Sequence, residues 1–167
     1  MREITDKHEI EAEQASALPR LVNDWALITA GGKDDYNTMT IAWGSMGDMF
    51  WEPTLDAYVS PSRYTYGFME ENDWFTVSLF PVEYRPDLQV LGSKSGRDGD
   101  KVALTKLTPV EVEHGMTFAE ADTTFVCRKL YSQGIGDALP EEIIRETYAS
   151  FEPHVRYVGV IEKVLKA

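Results

Sequence analysis

Residues 36 to 45, Tyr-Asn-Thr-Met-Thr-Ile-Ala-Trp-Gly-Ser, alternate along the chain. Asn37, Met39, Ile41 and Trp43 point one way, and Thr38, Thr40 and Ala42 the other. A period of two over eight residues predicts a β-strand with small hydroxyls on one face and bulkier groups on the other. The preceding run, Trp25 to Ala30, reads as a strand as well. Between them Gly31-Gly32-Lys33-Asp34-Asp35 supplies turn chemistry, so the two runs predict a hairpin. Further strands are expected over Thr54–Ser60, Trp74–Phe80, Thr108–Glu113, Thr123–Ser132 and Val155–Val164, with His114-Gly115 in a turn.

Helical signals are fewer. Residues 7 to 20 predict a short N-terminal helix ended near Pro19. Ser62 is expected to cap a helix running to about Glu71. Tyr84 to Leu91 predicts a helix with Pro86 in its first turn, and Pro140 opens another with Ile144, Tyr148 and Phe151 at helical spacing. Gly92 to Gly99 reads as a loop, and Asp100 as the cap of a short helix through Lys106. Short strands dominate and no regular βαβ alternation appears. The expectation is mainly β with added helices, an antiparallel barrel rather than a doubly wound sheet. One domain spanning 1–167 is expected, with 1–20 as an N-terminal extension.

The 167 residues carry a net charge of −12. That disfavours nucleic acid and anionic membrane as general partners, because both require a positive footprint. The single cysteine, Cys127, excludes an intrachain disulfide and any CxxC pair, and reads as a small buried hydrophobe. The first residues lack the apolar core of a signal peptide, and no apolar run approaches the ~20 residues of a membrane-spanning helix. A cytoplasmic protein is the expectation. His8, His114 and His154 lack ligand spacing, so no metal site is expected. Neither GxGxxG, a P-loop nor GxSxG is present.

Two stretches carry candidate chemistry. In Gly92-Ser93-Lys94-Ser95-Gly96-Arg97-Asp98 the glycines let backbone N–H groups converge on an anion, the serines add donors, and Lys94, Arg97 and Lys101 add positive charge. Pro61-Ser62-Arg63-Tyr64-Thr65-Tyr66 opens a helix whose free N–H groups suit a phosphate. A solvated connection explains the first stretch and an ordinary capped helix the second.

Together with the strand at 37–43, these motifs resemble, in their order along the chain, the flavin reductase-like family of FMN-binding split barrels, which includes the flavoredoxins. The resemblance spans about Ala26 to Lys163. It implies FMN as cofactor, with Asn37, Thr38, Met39, Thr40, Ala42 and Trp43 along the flavin ring. Ser62, Arg63, Tyr64 and Thr65, with Gly92, Ser93, Ser95, Gly96 and Lys101, are implied around the ribityl chain and phosphate. Ser78, Leu79 and Phe80 are implied as a further part of the wall. An oxidoreductase passing electrons from NADH, NADPH or another donor through FMN follows from the resemblance. So do an alternative as an electron carrier serving a redox partner protein, and a homodimer. A split barrel holding a different ligand stays open. No side chain is assigned as an acid–base catalyst.

Overall fold

The computed structural model describes all of residues 1–167. In chain order the elements are β1 (Arg2–Ile4), α1 (Lys7–Asp24), β2 (Ala26–Gly32), β3 (Asp35–Ile41), β4 (Gly44–Met49) and β5 (Glu52–Val59). They continue with α2 (Tyr64–Glu71), β6 (Trp74–Leu79), α3 (Arg85–Ser93), β7 (Pro109–Val112) and β8 (Gly115–Phe118). The chain ends with β9 (Thr123–Gly134), α4 (Glu141–Thr147) and β10 (Val155–Lys166). Eight strands form one antiparallel sheet in the order β3-β2-β6-β9-β10-β5-β4, with β1 added on β10; β7 and β8 make a separate hairpin.

The protein is mainly β with four helices, as expected, but hydrogen bonding does not close the sheet into a barrel. Its two terminal strands, β3 and β4, lie against helices. Thr40 of β3 donates from its hydroxyl to the Leu88 carbonyl of α3. Gln14 of α1 donates to the carbonyls of Gly47 in β4 and Thr54 in β5, both at 2.9 Å.

The β2–β3 hairpin forms as expected, with Ala30 opposite Asn37 and Ala26 opposite Ile41. Several boundaries differ from the sequence expectation. Helix α1 continues through Pro19 to Asp24. Its buried residues Ile10, Ala17 and Leu21 join the main core, and that packing outweighs the one N–H that proline removes. Trp25 is the residue that ends α1, at φ 73°, rather than the first of a strand. The strand at 36–45 stops at Ile41, so Ala42 and Trp43 lie in the bend before β4.

Strands β1 and β4 carry no alternating apolar signature; β4 reads Gly-Ser-Met-Gly-Asp-Met. Ser62 does not cap α2. The cap position is Arg63, no side chain fills it, and the Ser62 hydroxyl is instead 2.9 Å from the Ser60 hydroxyl. Helix α3 takes in Gly92 and Ser93, and Pro86 sits in its first turn as expected. Asp100 caps a single 3-10 turn at Val102–Leu104, accepting from the N–H groups of Val102 and Ala103.

The larger core joins β2, β5, β6, β9 and β10 under α1, around Phe75, Phe125, Tyr157 and Leu55. A second cluster, with Leu88, Leu91, Phe80 and Phe118, fixes α3 beside β2 and β8. The two clusters hold α2 and α3 on either side of β3, and this sets the geometry described next. No helix is long and apolar enough to cross a membrane, and no cluster of His, Cys, Asp and Glu has the makings of a metal site.

Candidate functional site

The start of α2, the end of α3 and the face of β3 enclose a cavity of about 130 Å³. Its lining includes Asn37 and Met39 from β3, Ser62, Arg63, Tyr64 and Thr65 from the start of α2, and Gly92, Ser93, Ser95, Gly96 and Lys101 from α3 and the turn beyond it. These eleven were expected on sequence grounds to lie together, and they do. Lys94 and Arg97 line it too.

Close approach leaves no room for a Cβ at one of these positions and little at another. A Cβ on Gly96 would fall 2.4 Å from the Asn37 amide oxygen and 2.8 Å from the Tyr64 ring; one on Gly92 would fall 3.1 Å from Thr40 Cβ. Asn37 is in turn fixed by donating to the Thr65 hydroxyl at 2.7 Å. The sequence therefore brings β3, α2 and the glycine-serine turn to one place through small residues and one buried amide.

The electrostatics of this cavity set it apart. Of the sixteen lysines and arginines, nine stand within 4.0 Å of a carboxylate. Four of the others, Arg63, Lys94, Arg97 and Lys101, gather on this one cavity in a strongly acidic chain. Arg63 and Arg97 reach only backbone carbonyls, of Gly92 at 3.4 Å and Ser62 at 3.2 Å, and Arg97 also lies over the Tyr64 ring.

Lys101 is the most constrained of the four. It is only 6% exposed, and its ammonium donates to the carbonyls of Leu91 at 2.9 Å and Lys94 at 3.2 Å. Burial, with the Arg63 guanidinium nearby, pulls its pKa down to about 8. An ammonium held this way has a third N–H to offer and no counterion. Beside it, α2 begins without a side-chain cap, leaving N–H groups of its first turn for a ligand. An anion entering here meets cations that have no carboxylate partner.

From this cavity an apolar groove runs along β3. The next compartment, about 290 Å³, shares Gly92 and Ser93 with the first and adds Thr40, Ile41, Ala42, Leu88 and Trp25. A third, about 350 Å³, shares Ala42 and adds Trp43, Gly44, Tyr58, Val22 and Ile135. Thr40, Ala42 and Trp43 thus extend the site beyond the anion end. Thr38 faces the other way. It donates to the Ile28 carbonyl, accepts from Thr29 at 2.9 Å, and borders, with Tyr36, an adjoining cavity that shares Asn37, Tyr64, Gly96 and Lys101 with the first.

Ser78, Leu79 and Phe80 line none of these three compartments. Ser78 is fully buried among the Thr117 and Thr124 hydroxyls, Leu79 belongs to the main core, and Phe80 packs on Tyr84 and Phe118. Strand β6 is interior to the sheet, with β2 between it and β3, so its end is used for packing.

His154 is a neighbour of the site that the sequence did not assign to it. Its ring lies 4.9 Å from that of Trp43, and Nδ1 is 3.1 Å from the Tyr148 hydroxyl. Burial, then the positive charge of Arg63, holds the imidazole below its ordinary pKa and hence neutral at pH 7. Cys127 is fully buried, and burial pushes its thiol up, away from any reactive thiolate.

Similar folds occur among solved structures. Flavoredoxin from Methanosarcina acetivorans matches at 22% identity and a TM-score of 0.66, over 86% of this chain and 68% of that one. An FMN-binding protein from Thermus thermophilus, solved with bound 1-cyclohex-2-enone, matches at 21% and 0.68, over 85% and 69%. The FMN-binding domain of a flavin reductase-like enzyme from Shewanella baltica matches at 18% and 0.65, over 90% and 73%. No protein-family model and no curated protein matches the sequence. The fold is that of flavoredoxins and flavin reductase-like FMN-binding proteins.

Proposed function

We propose that this protein is an FMN-binding oxidoreductase of the flavin reductase-like, split-barrel type. It takes electrons from NADH, NADPH or another donor and passes them on through the flavin. The observation that carries this is the set of four cations without carboxylate partners at the uncapped start of α2, closing one end of an apolar groove along an edge strand. FMN is a phosphate, a polar chain and a flat ring in that order, and the groove offers matching chemistry in that order.

Lys101 and Arg63 are the residues to hold the phosphate, with Ser62, Thr65, Ser93 and Ser95 as hydroxyl donors nearby. The ring would lie along β3. This strand pairs on one side only, with β2, so its other edge has backbone donors and acceptors for a heterocycle. Trp43 and Ala42 supply apolar surface at that end. FMN, when bound, supplies the electron and hydride chemistry; the protein orients it and its partner and sets its electrostatic surroundings. No acid–base pair lines the groove, and none is assigned.

Two of the similar structures are named flavoredoxins, and this favours a second reading, an electron carrier serving a redox partner protein without turnover of its own. Steady oxidation of NADH or NADPH by catalytic amounts of protein supports the reductase; its absence, with a flavin reducible by a protein donor, supports the carrier. A homodimer forms part of either reading.

The test of the site itself is a paired titration with FMN and riboflavin, which differ in the phosphate. Arg63→Ala and Lys101→Ala each remove a charge-assisted contact of ~1.5–3 kcal/mol. FMN affinity should fall roughly ten- to hundredfold while riboflavin affinity is unchanged. Equal losses for the two ligands would move both residues out of the phosphate site.

A further inference from the structure

Lys101 is the one lysine buried in the fold, and it lines the anion cavity with no carboxylate beside it. Two of its N–H groups are taken by the carbonyls of Leu91 at 2.9 Å and Lys94 at 3.2 Å. When the third proton leaves, the lone pair takes that proton's tetrahedral position, directed at neither carbonyl. Burial and the neighbouring Arg63 guanidinium bring the pKa down to about 8. Roughly a tenth of the chains therefore hold a neutral amine at pH 7, against about one in 2,500 for an ordinary lysine. A desolvated lysine beside a second cation is nucleophilic near neutral pH.

The cavity also selects the electrophile. Arg63 from the start of α2, with Lys94 and Arg97 from the turn after α3, lines the same space, and the uncapped start of α2 adds free N–H groups. This set draws in a phosphate. A phosphate carrying an acyl group brings its carbonyl carbon, one oxygen away, into the same cavity as the amine. Lys33, Asp34, Asp35 and Asp100 border the adjoining cavity rather than this one, and Asp100 accepts from the N–H groups of Val102 and Ala103. Lys129 provides the contrast. It too donates to two carbonyls, of Met69 at 2.7 Å and Glu70 at 3.2 Å. It sits at the C-terminal end of α2, where the helix dipole repels an anion, and it lines neither cavity.

We propose that Lys101 is an acylation site: in the flavin-free chain an acyl phosphate seats its phosphate on Arg63 and the start of α2 and transfers its acyl group to the Lys101 nitrogen. The nitrogen forms a bond to the acyl carbon, the bond from that carbon to the phosphate oxygen breaks, and phosphate leaves with the electron pair. The surplus proton on nitrogen passes to the leaving phosphate. An amide and inorganic phosphate are the products, and nothing is oxidised or reduced. Acylation removes one positive charge and leaves the acyl group in the cavity. Under the FMN reading above, on which this consequence rests, the modified chain no longer seats the flavin phosphate, and bound flavin in turn shields the amine.

Acetyl phosphate is the probe, and the full chain freed of flavin is the target. Peptide mass spectrometry over time should find acetyl on Lys101 at least ~10-fold faster than on Lys94 or Lys129. The Lys101 rate should rise up to a pH of about 8 and then level. Inorganic phosphate should slow the reaction at Lys101 and leave Lys129 untouched. Arg63→Ala should slow it roughly tenfold, because the phosphate loses its charge-assisted contact. Labelling of Lys101 no faster than of Lys129, or a Lys101 rate that inorganic phosphate does not change, overturns the acylation site. Acylation that inorganic phosphate blocks and FMN does not leaves this site standing and overturns the flavin reading. Tight FMN binding by a chain whose Lys101 stays unmodified in the flavin-free state overturns the acylation site alone.

Discussion

Gly96 lies so close to Asn37 that a Cβ on residue 96 would sit 2.4 Å from the asparagine's amide oxygen. The same amide donates to Thr65 at 2.7 Å, so one glycine lets the turn after α3 close on both β3 and the start of α2. Gly96→Ala should therefore break the Asn37–Thr65 bond and open the anion cavity, with about 1–3 kcal/mol lost to overpacking. Denaturant unfolding and FMN titration of the variant check this. Unchanged stability together with unchanged affinity would show that the three elements are not locked through this contact.

A purely structural glycine gives the contrasting case. A Cβ on Gly159 would meet Phe75 at 2.6 Å and Cys127 at 2.9 Å inside the main core, at a register shift between β9 and β10. Gly159→Ala should lower stability by about 1–3 kcal/mol or more while the folded fraction binds FMN normally. Loss of flavin affinity in fully folded protein would contradict that separation of core and site.

Lys101 makes the site pH-dependent, and the two consequences have opposite signs. Its pKa is about 8 in the fold against the usual 10.5. Between those values the unfolded chain binds the extra proton, so this group makes the free protein more stable as pH rises from 8 towards 10.5. A bound phosphate favours the charged ammonium and raises its pKa, so ligand affinity should fall as pH climbs through 8, by up to tenfold per pH unit. Lys101→Met keeps the stem and should abolish both trends. FMN titrations and denaturant midpoints at pH 7, 8 and 9.5 decide it; a slope that persists in Lys101→Met belongs to another group.

The strands that the sequence announces are those whose apolar residues must face the core, such as Phe75, Val77 and Leu79 of β6. Strand β4 has no such requirement: with Gly44, Gly47 and Asp48 it is held by pairing to β5 and by Gln14 from α1, neither of which leaves a local trace. The anion cavity was legible because its glycines, serines and cations cluster in two short stretches. That Arg63 and Lys101 both lack a carboxylate partner was not legible, since it is a property of the folded chain. That Ser78, Leu79 and Phe80 lie outside these compartments was hidden for a related reason. An alternating strand looks the same whether its end borders a ligand or, as with Ser78 between Thr117 and Thr124, a buried hydroxyl cluster. The approach of His154 to Trp43 depends on β10 returning along the sheet, which leaves no local trace.

That last contact raises the question of whether His154 is needed for chemistry. The imidazole is held neutral by burial and by Arg63, and its Nδ1 is engaged with the Tyr148 hydroxyl at 3.1 Å. Hydride transfer onto a bound flavin needs the donor held over the ring, not a proton from a side chain. His154 supports the Trp43 indole from the side, which is a positioning task. His154→Ala should therefore keep FMN occupancy and slow anaerobic reduction by NADH or NADPH less than about tenfold, as followed by loss of the yellow absorbance in rapid mixing. Trp43→Ala should do more, through flavin affinity and redox potential. A fully loaded His154→Ala protein reduced a thousandfold more slowly would have lost about 4 kcal/mol of transition-state stabilisation. The imidazole would then be indispensable, and a mechanism without a specific side chain would be wrong for this protein.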